Sequence, residues 1–206
     1  MTLIAICDYG MGNRRSVEKA LEHVGSRSVI TSDHEVIRGA DGVILPGVGA
    51  FPEAMRNVRA LGLDEVLRSR AVAGAPLLGI CLGMQLLFER SLEHEGAAGL
   101  GLLAGSVTPL RAPKLPHIGW NLVRFERDSP LAAGLGEAAA FYHVHSFACR
   151  PSEPGDVVGR GEYGEPFASV VERGGVSGVQ FHPEKSSRDG LALLANFARI
   201  CASVAA

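Results

Sequence analysis

Short apolar, β-prone runs alternate with helix-patterned segments through the first half of this chain. Thr2–Cys7 is the first such run. Asp8–Asn13 (Asp-Tyr-Gly-Met-Gly-Asn) is a turn with two glycines, and Asn13 is placed to cap a helix over Arg14–Val24. Val17, Ala20, Leu21 and Val24 recur at i, i+3, i+4 and i+7, one face of that helix, and Gly25 can end it. Ser28–Thr31 and Gly42–Leu45 are the next strand candidates, the second followed by Pro46-Gly47-Val48-Gly49. A helical region covers about Pro52–Arg70, interrupted near Gly62. Pro76–Ile80 is an apolar strand running straight into Cys81, with a helix expected from there to about Ser91. This alternation predicts an α/β fold, a mostly parallel central sheet with helices on both faces. Functional sites of such folds lie beyond the carboxyl ends of the strands. Asp8–Asn13, Pro46–Phe51 and Cys81–Gln85 are the loops at such ends.

The second half has a different grain. Strand candidates follow one another at Val107–Pro109, Gly119–Phe125, Phe141–Phe147, Val157–Tyr163, Ala168–Glu172 and Val176–Phe181. Gly155, Gly164 and Gly174-Gly175 separate several of them. The pattern predicts an antiparallel β addition to the α/β core. A closing helix is expected over about Gly190–Ser203, with Leu191, Leu194, Ala198 and Cys201 on one face. No repeat or linker divides the chain, so residues 1–206 are expected to form a single domain.

Composition narrows the function classes. The 206 residues are 47% hydrophobic and 20% charged, enough to bury a substantial core. Lys and Arg number 20 against 22 Asp and Glu, with no basic run, so no nucleic-acid partner is expected. Met1–Cys7 lacks the basic start and cleavage site of a signal peptide. No apolar run approaches the roughly 20 residues of a membrane span. Cys7, Cys81, Cys149 and Cys201 show no paired spacing, which suits reduced thiols and a cytoplasmic location.

Gly79-Ile80-Cys81-Leu82-Gly83 places a cysteine between small residues where a strand gives way to a helix. A nucleophile on so sharp a turn sits in a strained backbone, and the flanking glycines let neighbouring chains approach. Helix N–H groups behind it favour thiolate, and the Leu82 amide is placed as an oxyanion donor. Cys7, Cys149 and Cys201 have no such setting and read as buried thiols. In Gln180-Phe181-His182-Pro183-Glu184-Lys185-Ser186, His182 and Glu184 are two apart, on the same side of an extended chain. A carboxylate there can hold one imidazole nitrogen so that the other takes the thiol proton. The order nucleophile, histidine, acid differs from that of the α/β-hydrolases.

Gly79–Gln85 (GICLGMQ) and Gln180–Ser186 (QFHPEKS) resemble the two signatures of triad-type, class I glutamine amidotransferases. Pro46–Phe51 (PGVGAF), Asp8–Asn13 (DYGMGN), Lys114–Asn121 (KLPHIGWN) and Val144-His145-Ser146 are similar to the glutaminase subunits of imidazole glycerol phosphate synthases, and Asn196-Phe197 extends the match. The resemblance implies a flavodoxin-like amidotransferase fold and a Cys81–His182–Glu184 triad. It implies hydrolysis of L-glutamine to glutamate and ammonia, without a cofactor or a metal. The ammonia would pass to a cyclase subunit, a (β/α)₈ barrel, which converts the phosphoribulosyl-carboxamide PRFAR into imidazole glycerol phosphate and AICAR. A barrel needs about 250 residues, so the cyclase would be a separate chain in a heterodimer.

By position, the resemblance assigns Gly47, Val48, Gly49 and Leu82 to the oxyanion site. Gln85, Glu93, His145 and Ser146 fall at substrate-contacting positions. Asn13, Trp120 and Lys185 would face the cyclase or brace the oxyanion loop. Glycines around Val48 make a flip of its peptide cheap, which would let the partner switch one donor on. Arg14, His143, Phe147 and Ala148 depart from the family pattern, and Phe147 brings no hydroxyl to the substrate. Related glutaminases of pyridoxal phosphate and anthranilate synthesis fit PGVG and HIGWN poorly. A partner-binding scaffold is the alternative outside catalysis. A metal site at His117, His143 and His145 would lack a carboxylate or thiol at ligand spacing.

Overall fold

The structure, a computed structural model, describes residues 2–204, so the outermost ends of the expected 1–206 domain lie outside the described residues. Strands and helices alternate through β1 (Leu3–Cys7), α1 (Arg14–His23), β2 (Arg27–Thr31), α2 (His34–Gly39), β3 (Gly42–Gly47), α3 (Phe51–Ala60), α4 (Leu63–Val72), β4 (Leu77–Cys81) and α5 (Leu82–Leu86). The remaining strands are β5 (Phe88–Ser91), β6 (Ala97–Ala98), β7 (Leu103–Pro109), β8 (His117–Phe125), β9 (Ala138–His145), β10 (Phe147–Pro151), β11 (Val157–Tyr163), β12 (Glu165–Arg173) and β13 (Val176–Val179). Helix α6 (Ser187–Val204) closes the described chain.

The main sheet has nine strands in the order β2-β1-β3-β4-β13-β12-β11-β8-β9. Its first five strands are mutually parallel. The rest pair antiparallel, so the β addition is continuous with the parallel core. β13 is the pivot, parallel to β4 and antiparallel to β12. A second sheet runs β10-β7-β5-β6.

Alternation along the strands separates two cores. In β1, Ala5 and Cys7 pack with α2, α3, α4 and the second sheet, while Ile4 and Ile6 pack with α1 and α6. Both faces of the parallel half are thereby covered, as its continuous apolar strands require. The α6 face expected from the sequence is rotated slightly: Leu193, Leu194, Phe197 and Cys201 are fully buried, whereas Leu191 and Ala198 are only partly so. Burying each large apolar side chain contributes on the order of 1.5–3 kcal/mol.

Three local expectations need correction. α2 was not visible in the pattern because one turn and a half carries no period. Its start is marked by Asp33, whose carboxylate accepts from the amides of Glu35 and Val36. The helix after Cys81 stops at Leu86 and does not reach Ser91, since β5 begins at Phe88. Every residue from Leu82 to Phe88 is buried, so no polar face distinguishes helix from strand there. The expected strand Phe141–Phe147 is two strands, broken at Ser146 where the chain leaves the large sheet for the small one.

Candidate active site

Cys81 ends β4 at φ +55° and ψ −112°, a region that costs a residue with a β-carbon strain. Its neighbours permit it. A Cβ on Gly83 would fall on the carbonyl oxygen of Leu45, and one on Gly79 would stand 2.7 Å from the Gly83 carbonyl group. α5 starts immediately, which leaves the Leu82 amide free of helical partners. With five residues, α5 is a far shorter dipole than the expected helix to Ser91.

Strand register brings the other groups to this point. Gly47 pairs with Cys81 across β3 and β4. Val179 pairs with Ile80 across β13 and β4, so Gln180–His182 continues past the strand ends beside the cysteine. The His182 backbone is clamped there. Its amide donates to Tyr142 O at 2.9 Å. Its carbonyl accepts from Ser186 Oγ at 2.6 Å, and that hydroxyl accepts from the Tyr142 amide at 2.9 Å. Phe181 stacks on Phe141 with centroids 3.9 Å apart.

His182 Nδ1 lies 3.0 Å from Glu184 Oε1. The pair forms through a 3-10 turn, Pro183–Lys185, and not through the extended chain expected from the two-residue spacing. Because a carboxylate only accepts, Nδ1 carries the proton and Nε2 is left for the thiol. Burial works to lower the His182 pKa, but the neighbouring Cys81 and Glu184 outweigh it and raise the value to about 10. The Glu184 side chain is wholly buried, and its Oε2 has no protein partner.

Val48, Gly49, Cys81, Leu82, Gln85, Glu93, His145, Ser146, His182 and Lys185 line one cavity of about 360 Å³ together with Pro116, Val144 and Phe147. Thus most of the residues singled out from the sequence meet at one place. Gly49 holds φ +98°, a conformation that favours glycine. Glu93 Oε2 accepts from the Phe51 amide at 2.8 Å, so it also caps α3. Lys185, expected at the partner interface or against the oxyanion loop, is part of the cavity wall. Trp120 lies outside it, 56% exposed on β8 and edge-on to Tyr142. A larger hollow of about 880 Å³ between Phe125 and Glu137 contains none of these residues. Its Arg127 is spent on the carbonyls of Gly155, Asp128 and Glu172.

Asn13 sits at the N-cap position of α1 but makes no side-chain cap. Its Nδ2 instead donates to Glu184 Oε1 at 3.3 Å. Of the departures from the family pattern, Arg14 pairs with Asp8, and His143 bonds Ser169 Oγ at 2.9 Å. Phe147 contributes through its carbonyl, which binds His145 Nδ1 at 2.8 Å and Gln85 Nε2 at 3.3 Å.

The histidines expected as metal-ligand candidates face each other. His117 Nδ1 and His145 Nε2 are 3.0 Å apart, and His117 stacks on Tyr163 at 4.0 Å. Burial lowers His143 to about 3 and His145 to about 4. Among the described residues no group of three His, Cys, Asp or Glu side chains is arranged to hold a metal ion. Sequence reasoning overlooked Tyr9 and gave Gln180 no role. Tyr9 OH donates to Pro46 O at 2.6 Å and ties the first loop to the strand before Gly47. Gln180 is fully buried, with Nε2 3.9 Å from Cys81 Sγ. Its place two residues before His182 was the available signal.

The profile of the family "Glutamine amidotransferase class-I" matches residues 5–201, and the chain belongs to this family. Within it, the chain is 52% identical to the imidazole glycerol phosphate synthase subunit HisH of Bacillus cereus (strain G9842), over 95% of this chain and 93% of that protein. The HisH subunit of Moorella thermoacetica is also 52% identical, over 97% and 96%. That of Aquifex aeolicus is 50% identical, over 94% and 95%. Among solved structures, PurLQS from Thermotoga maritima superimposes with a TM-score of 0.77 at 21% identity, covering 97% of this chain and 98% of that one. A structure titled glutamine amidotransferase gives 0.76 at 22% identity, with coverage of 97% and 98%. These two likenesses concern the fold. No described helix is long and apolar enough to cross a membrane.

Proposed function

We propose that this chain is the glutaminase subunit of an imidazole glycerol phosphate synthase. It hydrolyses L-glutamine and delivers ammonia to a separate cyclase subunit, a (β/α)₈ barrel. The cyclase uses it to convert PRFAR into imidazole glycerol phosphate and AICAR in histidine biosynthesis. The observation that carries the catalytic assignment is the His182–Glu184 pair, 3.0 Å apart, beside a cysteine held at φ +55°.

The Cys81 thiolate attacks the carboxamide carbon, and the carbonyl oxygen becomes an oxyanion. Leu82 N–H and a peptide N–H of Gly47–Gly49 receive that charge. The tetrahedral adduct collapses to a γ-glutamyl thioester, and His182 passes its proton to the departing ammonia. Water activated by His182 then hydrolyses the thioester to glutamate and restores the thiol. Glu184 keeps the imidazole oriented throughout. Gln85, Glu93, His145 and Ser146 form the substrate pocket.

Each oxyanion donor is worth roughly 3–4 kcal/mol. Withholding the Val48 donor until the cyclase is loaded would therefore suppress futile hydrolysis. Gly49 at φ +98° and the exposed Val48 support a peptide that can turn. Ile118, Trp120 and Leu122 form an exposed apolar row on β8, which supports a partner face there. Asn13 acts here through Glu184, and Lys185 from the cavity rim. Residues 1–206 act as one domain in the cytoplasm.

The test is glutaminase turnover with and without a barrel cyclase and its bound ligand. Turnover rises steeply on loading. Equal rates for the isolated chain and the loaded complex would contradict the switch.

A further inference from the structure

The Cys81 sulfur meets two polar groups that the triad does not include. Its thiol donates to Val144 O at 3.7 Å, a contact available only to the protonated form. On another side stands Gln180 Nε2 at 3.9 Å, a donor that can serve the thiolate. The distance is long even for sulfur, as catalytic contacts in unliganded enzymes commonly are.

The direction of the Gln180 amide follows from its neighbours. Gln85 Nε2 lies between two oxygens, Phe147 O at 3.3 Å and Gln180 Oε1 at 3.1 Å. A carbonyl accepts only, so the Gln85 nitrogen must point this way. Gln180 Oε1 is thereby occupied, and its nitrogen is turned to the sulfur. A flipped Gln180 would set amide nitrogen against amide nitrogen in a fully buried place, leaving donors unpaired.

The same polarity continues away from the site. Phe147 O also receives His145 Nδ1–H. His145 Nε2 is then bare and accepts from His117 Nδ1–H, and His117 Nε2 accepts from Asn121 Nδ2 at 3.3 Å. One set of neutral tautomers satisfies every link. Burial lowers the pKa of both His117 and His145, in keeping with neutral rings.

We propose that Gln180 is a further catalytic residue, whose Nε2–H stabilises the Cys81 thiolate, with Gln85, His145 and His117 as the positioning residues that fix its direction. The inference rests on Cys81 being the nucleophile. When the thiol ionises, its proton leaves Val144 O, and the sulfur's new charge is met by Gln180 and by the His182 imidazolium. The titratable groups around the sulfur are His182 after β13, Tyr9 after β1, Cys149 on β10, His145 at the end of β9, and Glu93 and Lys185 in the cavity wall. All of them remain in the variants below.

The experiment measures alkylation of Cys81 by iodoacetamide in the complex with the cyclase, read by mass spectrometry of the Cys81 peptide, for wild type, Gln180→Met and Gln180→Glu. Only thiolate reacts. Loss of a donor to a charged group lowers the rate at pH 7 about tenfold or more, and by a smaller factor at pH 10, where more of the thiol is ionised. Glutaminase kcat falls by a similar factor, with KM little changed. Rates within twofold of wild type at pH 7, or an equal slowing at both pH values, would overturn the proposal. If neither variant assembles, the wild-type complex provides the reading. The Gln180 side-chain amide resonance shifts over the pH range in which Cys81 becomes reactive, and a stationary resonance overturns the proposal. Cys81→Ala separates the two levels. Glutaminase activity surviving in it defeats the nucleophile assignment, whereas its loss alongside unaffected Gln180 variants defeats only the role of Gln180.

Discussion

Glu184 and Asn13 meet at one carboxylate oxygen, Oε1, which also receives His182. Asn13 lies at the N-cap position of α1, yet its side chain makes no cap bond and turns to Glu184 instead. The two roles make opposite demands on an Asn13→Asp variant. As a helix cap, Asp is as good as Asn. Against Glu184, it adds like charge to a buried carboxylate. We expect kcat to fall by roughly tenfold or more, with α1 intact by circular dichroism. Unchanged kcat would contradict the brace.

Glu184→Gln tests the orienter while preserving its shape. The amide can present a donor to Nδ1 and favour the wrong tautomer, and His182 loses one of the interactions that raise its pKa to about 10. Steady-state kinetics should show kcat lower by roughly 10²–10⁴-fold. A loss of less than threefold would contradict the assignment.

The histidines set opposite pH limits on stability. His182 is raised from 6.5 to about 10, so the fold binds its proton more tightly than the unfolded chain does. That contribution is complete below pH 6.5 and is lost as pH rises through 10. His143 and His145 are lowered to about 3 and 4. Their contribution is complete above pH 6.5 and is lost as pH falls through 4 and then 3. Urea midpoints should therefore be highest near pH 6.5 and decline on both sides. His143→Phe removes one acid-sensitive group. It should lose stability at pH 7, where Ser169 Oγ is left unpaired, and lose less at pH 5.

Gly83→Ala tests the close approach at the elbow. The added methyl would fall on the Leu45 carbonyl, a backbone group that cannot move aside alone. Overpacking of this kind costs on the order of 1–3 kcal/mol or more. We expect a lower thermal midpoint together with a loss of glutaminase activity, since β3 must shift away from Cys81.

The Cys81 elbow and the His182–Glu184 pair were legible because each is a local constellation, with small residues around a nucleophile or a base two residues from its acid. Four strands of the parallel half, β1 to β4, were legible from their alternation with helices, whereas β13 was expected among the antiparallel strands and pairs parallel with β4. What escaped was non-local or lacked a period. The Asn13 carboxamide faces a residue 171 positions away, so helix start rules placed Asn13 at the N-cap of α1 but gave no sign that its side chain turns to Glu184. Gln85 lines the cavity, but its bond to Gln180 spans 95 positions and appears only once β13 lies beside β4. The start of β5 hid at the end of the wholly buried run Leu82–Phe88. The switch of sheets at Ser146 hid in the β-prone run Phe141–Phe147, which has no glycine or proline to mark a break, and this switch brings Val144 and Phe147 to the cavity.

The most direct test of the account is to quench the cyclase-loaded complex with acid during glutamine turnover and map covalent adducts by mass spectrometry. The account predicts a γ-glutamyl thioester on the Cys81 peptide, absent in Cys81→Ala, which also releases no ammonia above the blank. Ammonia release that persists in Cys81→Ala, or an adduct on another residue, would contradict it.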